Sequence, residues 1–150
     1  MVVIGIDPGT RCGWCVLGDD GQVSSGTWNL KPSRFEGAGM RFVRLRKYLD
    51  ELIRAAHPDQ LACEEVRRHL GVDAAHIYGG ILAILQEQCE IYRIPYQGIP
   101  VGTVKKRATG KGNAQKDVMI AAAKAKWPDF NGDDNEADAR WIALCALEGM

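Results

Sequence analysis

The chain has 150 residues, 46% of them apolar and 25% charged, and its nineteen bases balance nineteen acids. That length buries a full core and suits one domain spanning residues 1–150. No run approaches the roughly 20 apolar residues of a membrane span. The opening Met1-Val2-Val3-Ile4-Gly5-Ile6-Asp7 lacks a basic leader and meets a carboxylate at once, so a secretory signal is not expected.

Val2 to Ile6 is an apolar, β-branched run that predicts a buried strand. Asp7-Pro8-Gly9-Thr10 follows as a turn, in which proline presets φ. Gly13 to Leu17 returns as a second strand, Asp19-Asp20-Gly21 turns the chain, and Gln22 to Leu30 makes a third. Ser33 is placed to cap a helix from Arg34 to Ala56. Its Phe42, Leu45, Leu49, Leu52 and Ile53 recur at helical spacing, while Arg41, Arg44, Lys47 and Arg54 face outward. His57-Pro58 ends it. Gln60 to Val66 reads as a fourth strand. A helix from Asp73 to Tyr92 contains Gly79-Gly80, a costly pair that points to close backbone packing. Ile94 to Ile99 is the fifth strand. Helices over Pro100 to Ala108, Ala114 to Trp127 and Glu136 to Leu147 complete the chain. Three consecutive antiparallel strands followed by alternating helices and strands predict an α/β fold, a mixed five-stranded sheet flanked by helices.

The neutral total conceals two segments of opposite sign. Between Val101 and Phe130, Lys105, Lys106, Arg107, Lys111, Lys116, Lys124 and Lys126 face only Asp117 and Asp129. From Asn131 onward, Asp133, Asp134, Glu136, Asp138 and Glu148 face only Arg140. A basic stretch beside an acidic cluster suits a protein that touches phosphates and holds cations, although two solvated helix faces give the same pattern. The five cysteines are odd in number and carry no disulfide framework, which points to a reducing cytoplasm. Cys12-Gly13-Trp14-Cys15 has redox spacing but falls in a strand, where no helix N-terminus lowers a thiol pKa.

The acids define the chemistry. Asp7 closes a buried strand, where an unpartnered carboxylate is costly. Glu64 closes the fourth strand, and strands one and four can lie side by side. Asp134 and Asp138 are four apart at the start of the last helix and share a face. Carboxylates from three segments can thus converge on one cleft, where hard oxygen ligands suit Mg²⁺ or Mn²⁺. Two such ions about 4 Å apart can activate water and stabilise both oxygens of a phosphodiester displacement. Read singly, Asp134 and Glu136 can also be helix-dipole partners, and Glu64 or Glu65 a solvated strand end.

Ile4-Gly5-Ile6-Asp7-Pro8-Gly9-Thr10-Arg11, Ala62-Cys63-Glu64-Glu65-Val66, Val104-Lys105, Gly110-Lys111-Gly112-Asn113-Ala114-Gln115-Lys116 and Asn135-Glu136-Ala137-Asp138-Ala139 together resemble the RuvC family of Holliday-junction resolvases, most closely its phage-type members. The resemblance implies a ribonuclease H-like fold and a homodimer that nicks two strands of a four-way DNA junction symmetrically. It maps Asp7, Glu64 and Asp138 onto catalytic carboxylates. The fourth acid falls on Asn135, so Asp134 is the substitute by helical geometry, and Glu65 is the fallback for Glu64. Lys105 and Lys116 match basic positions near the scissile phosphate. Where cellular members place an aromatic residue that stacks on bases, this chain has Arg67-Arg68-His69, which can also stack or contact phosphate. Arg41, Arg44, Lys106, Arg107 and Lys111 are further candidates for DNA contact. The helix bearing Tyr78, Ile81, Ile84 and Leu85 is the dimer face by analogy, or intramolecular core.

Four readings compete. The first is a metal-dependent junction resolvase. The second is a RuvC-like nuclease of looser taste for branched DNA, or an RNA-processing relative. The third is a sugar-kinase or chaperone-ATPase half, suggested by Gly5 to Thr10; those proteins need two such domains, so no nucleotide cofactor is expected. The fourth is a thiol oxidoreductase or a non-catalytic junction-binding module.

Overall fold

The computed structural model describes residues 1–69 and 71–150. Its strands are β1 (Val2–Asp7), β2 (Arg11–Gly18), β3 (Val23–Asn29), β4 (Gln60–Glu65) and β5 (Tyr96–Pro100), in the order β3-β2-β1-β4-β5. The first three form the expected antiparallel meander, and β4 and β5 add in parallel on the other side of β1. The helices are α1 (Met40–Ala56), α2 (Val72–Tyr92), α3 (Val101–Thr109), α4 (Lys116–Lys126) and α5 (Asp134–Leu147).

Period-two alternation along β1 sorts the core into two layers. Ile4 and Ile6 point to α1 and α2, where they meet Leu45, Leu49, Ile81 and Leu85. Val3 points the other way, into a cluster with Ile142, Ala143 and Val104 from α5 and α3. The same alternation aims Asp7 toward the α5 side. In β4 it sends Ala62 and Glu64 there too, while Leu61 and Cys63 pack under α2. Glu65 falls on the α2 side as well and pairs with Arg67 at 3.0 Å, so it is no substitute for Glu64.

Several boundaries differ from expectation. Ser33 does not cap α1, which begins six residues later than Arg34, at Met40 behind Gly39. Gly37 and Gly39 disfavour helix there. The intervening turn is held instead by Ser33 N–H donating to Glu36 and by the Arg44 fork on the same carboxylate, both Nη2 distances being 2.7 Å. The last strand is shifted to Tyr96–Pro100, because Ile94 N–H closes the end of α2 on the Cys89 carbonyl. The last helix starts at Asp134 rather than Glu136, capped by Asp133, whose Oδ1 accepts the Glu136 N–H at 2.9 Å.

The glycine pair in α2 is half explained: a Cβ on Gly80 would strike the Phe42 ring of α1, whereas Gly79 faces open space. Of the residues named for a dimer face, Ile81, Ile84 and Leu85 are buried inside the protomer as intramolecular core, whereas Tyr78 is half-buried. A helix periodicity marks a buried stripe without saying what buries it. The redox reading also falls. Cys12 and Cys15 are both buried on opposite faces of β2, one in each core layer, and burial pushes the Cys15 thiol up to about 12. Among the described residues, no helix is long and apolar enough to cross a membrane.

Candidate active site at the sheet edge

Ile6 of β1 registers with Cys63 of β4, so the next residues, Asp7 and Glu64, stand side by side just beyond the last β1–β4 pair. α5 crosses that edge and lowers Asp138, from its second turn, onto the pair. One oxygen from each of Asp7, Glu64 and Asp138 lies within 4.8 Å of the others. Asp134 stands outside this group, where its Oδ2 meets Lys116 Nζ at 3.6 Å.

The cluster is electrostatically unrelieved. Burial first, and then the charges of Glu64 and Asp138, hold the Asp7 carboxyl well above the usual carboxylate range. Asp138 is pushed up to about 7 by burial and by Glu64 and Asp134, against the pull of Lys105 and Lys116. Among the described residues, no base forms a salt bridge with Asp7, Glu64 or Asp138. Three converging, unneutralised oxygen donors are the donor set that a hard divalent cation requires, so these residues fit such an ion.

A measurable consequence concerns pH. Both acids have folded-state pKa values raised above their unfolded values. The contribution of Asp138 to stability is therefore complete below about pH 4 and is lost as pH rises through about 7, and Asp7 is shifted in the same direction. The protein in excess chelator should melt at a higher temperature at pH 5.5 than at pH 8, with this site contributing on the order of 2–4 kcal/mol. Added Mn²⁺ should restore stability at pH 8 and do little at pH 5. An unchanged melting temperature across that range would contradict the charge cluster.

The other residues named from sequence divide into groups. Lys105 and Lys116 sit close enough to Asp138 to influence its charge. Lys106, Lys111, Arg67 and Arg68 are exposed. His69 lies against the Tyr78 ring with centroids 4.8 Å apart. Arg41 is half-buried, and its Nε is buried without a partner. Arg44 and Arg107 are not free for DNA. Arg44 is spent on Glu36, and Arg107 forks onto Glu148 at 2.7 and 3.1 Å while covering the Trp141 ring.

Sequence reasoning missed the residues that brace the site. The Tyr78 hydroxyl donates to the Glu64 carbonyl and accepts from Val66 N–H, each at 3.2 Å, where β4 leaves the sheet. Asp133, Thr27, Ser25, Glu136 and Arg140 join α5 to β3. The spacing of Asp133 and Glu136 matches a capping box and could have been found, but Glu136 turns to Ser25 rather than back to the cap.

Comparison with known proteins places this geometry. The family model described as crossover junction endodeoxyribonuclease RuvC matches residues 3–146. The chain belongs to the RuvC family. Among RuvC proteins, it is 32% identical to that of an Anaeromyxobacter species over 152 residues, covering 98% of this chain and 73% of that one. It is 34% identical to that of Ruegeria pomeroyi, covering 97% and 90%. The structure superposes on Thermus thermophilus RuvC in complex with a Holliday junction substrate with a TM-score of 0.80 and 26% identity, covering 96% of this chain and 91% of that one. The yeast mitochondrial Holliday junction resolvase shares the fold, with a TM-score of 0.62 and 16% identity. The mixed sheet is thus the ribonuclease H-like fold of RuvC. The protein is a hydrolytic endodeoxyribonuclease of a divalent-metal-dependent family, and the three-carboxylate cluster is its possible metal site. The kinase and oxidoreductase readings end here.

Proposed function

We propose that this chain is one nuclease domain that acts as a cytoplasmic homodimer and resolves four-way DNA junctions by paired symmetric nicks, with Mg²⁺ as the working ion and Mn²⁺ able to replace it. The observation that carries the proposal is the convergence of Asp7, Glu64 and Asp138 beside Lys105 and Lys116. Its match to RuvC solved on a Holliday junction supports the substrate.

Asp7, Glu64 and Asp138 would hold the cation, and Asp134 flanks them. A bound divalent ion supplies Lewis-acid stabilisation of phosphoryl oxygens and activation of water. The protein's own residues do the rest. Lys105 and Lys116 offset charge that develops on the phosphoryl group. Lys116 is shared with Asp134, which holds it near the site until a phosphate competes for it. Asp138, whose pKa lies near 7, must lose its proton before it can serve, so cleavage rises from pH 6 to pH 8. Exposed Arg67, Arg68, Lys106 and Lys111, with His69, contact the DNA backbone or stack on its bases, reading shape more than sequence. Two sites related by a dyad give the paired nicks.

The test is cleavage of an end-labelled four-way junction beside a duplex and a Y-fork of the same sequence, in Mg²⁺ and in Mn²⁺. Paired symmetric nicks on the junction, weak on the other two, are expected. Equal cutting of all three would leave a nuclease of looser taste. Tight junction binding without any cutting would leave a binding module.

A further inference from the structure

Asp7, Gly13 and Thr27 are register partners across β1, β2 and β3, and two residues along, on the same face, lie Gly5, Cys15 and Ser25. The first turns of α5 lie across both rows. A Cβ on Gly13 would overlap the Asn135 carbonyl, so the bare backbone beside Asp7 is the seat on which the helix rests. The far ends of the rows grip it. Thr27 Oγ1 donates to Asp133 Oδ1 at 2.7 Å, and the same oxygen accepts the Glu136 N–H at 2.9 Å. Ser25 Oγ donates to Glu136 Oε2 at 2.6 Å and accepts from Arg140 Nε at 2.8 Å. The Arg140 guanidinium is itself held over the Trp127 and Phe130 rings.

α5 therefore has two working sides. Glu136 and Arg140, one turn apart, face β3. Asp134 and Asp138, also one turn apart, face the acidic cluster. A step of two residues is about 200° of helix rotation, so grip and acids lie on opposed sides of one rod. Any roll of the helix away from β3 moves Asp138 relative to Asp7 and Glu64. Repulsion among those three carboxylates would favour such a roll, and the hydroxyl contacts with β3 would resist it.

We propose that Thr27, acting through Asp133, is a positioning residue for the carboxylate site, setting the rotation of α5 and hence the approach of Asp138 to Asp7 and Glu64. Asp133 caps the helix whether or not Thr27 is present. The hydroxyl's separate contribution is to register that cap to the sheet. The proposal rests on the metal-nuclease reading of the site.

Thr27→Val keeps the shape and strand preference of the side chain and removes only the hydroxyl. Thr27→Ser restores it. Mn²⁺ binding to the protein alone, followed by the electron paramagnetic resonance of free Mn²⁺, reads the site without DNA. Thr27→Val should weaken Mn²⁺ binding by about 10- to 100-fold, as loss of an outer positioning contact does, and Thr27→Ser should recover most of it. The Mn²⁺ concentration for half-maximal cleavage should shift in parallel, with less change in the rate at saturation. Thermal melting in chelator identifies any variant that has lost its fold. A Thr27→Val protein that is folded and binds Mn²⁺ like the wild type overturns the positioning role. So does a Thr27→Ser protein no better than Thr27→Val. A wild type that binds no Mn²⁺ overturns the metal reading itself, and the proposal with it.

Discussion

Asp7→Asn is expected to abolish cleavage and, in the same protein, to raise the melting temperature in chelator at pH 8. The two effects have one cause. Asp7 is buried against Glu64 and Asp138, and among the described residues no base forms a salt bridge with it. The amide keeps the size of the side chain and removes one of three crowded charges. Relief of like-charge repulsion at a buried site should contribute about 1–2 kcal/mol of stability. The cation loses its most enclosed carboxylate, and a fall of about 10³-fold or more in cleavage is the scale expected when charge stabilisation of the reacting phosphate is lost. Junction binding should survive, because the phosphate contacts proposed above fall to lysines and arginines and not to Asp7. Parallel cleavage, binding and melting assays would check it. A variant less stable than the wild type at pH 8, or one within tenfold of its activity, would contradict the argument.

Gly5→Ala should be among the most damaging single methyl groups in the protein. A Cβ at Gly5 would lie 2.5 Å from the Ala139 carbonyl oxygen, 2.7 Å from the Ala143 nitrogen and 2.8 Å from the Ala143 Cβ. These neighbours are mostly helix backbone rather than flexible side-chain ends. α5 cannot back away freely, since Trp141 on it is packed edge-on to Trp127, with centroids 5.1 Å apart. Overpacking costs about 1–3 kcal/mol where side chains can yield, and more where backbone must move. Against a typical total of about 5–15 kcal/mol, a loss of at least 3 leaves a marginal protein. Denaturant unfolding would show it as a large fall in midpoint, and a shift worth under about 0.5 kcal/mol would refute it.

The sheet and two of its acids were readable because both depend on local pattern. The run from Val2 to Ile6 and the period of two decide which way Asp7, Glu64 and Glu65 point, and spacing of four unites Asp134 with Asp138. What was not readable depends on pairs far apart in the chain. Nothing near Thr27 announces Asp133, 106 residues away, and nothing near Ser25 announces Glu136, 111 away. Arg44 and Arg107 looked like free cations because their partners, Glu36 and Glu148, are set by loop and terminal geometry. Ile81, Ile84 and Leu85 offered a buried stripe, and only the fold shows that α1 and the sheet cover it. Ser33 offers a cap for a helix from Arg34, while Gly37 and Gly39 carry the signal that delays α1 to Met40.

The carboxylates occupy positions 7, 64 and 138, so the site spans the order in which the chain is made. Of the three, the ribosome delivers Asp7 first and Asp138 last. Until α5 emerges, the face of β1 bearing Val3, Gly5 and Asp7 lacks its helix cover, and that half of the core is incomplete. A chain cut short before Asp138 can neither complete its fold nor assemble its acids. An enzyme that cuts DNA is thereby kept inert until Asp138 has been made, and a product truncated before it offers quality control an exposed apolar sheet instead of a stray nuclease.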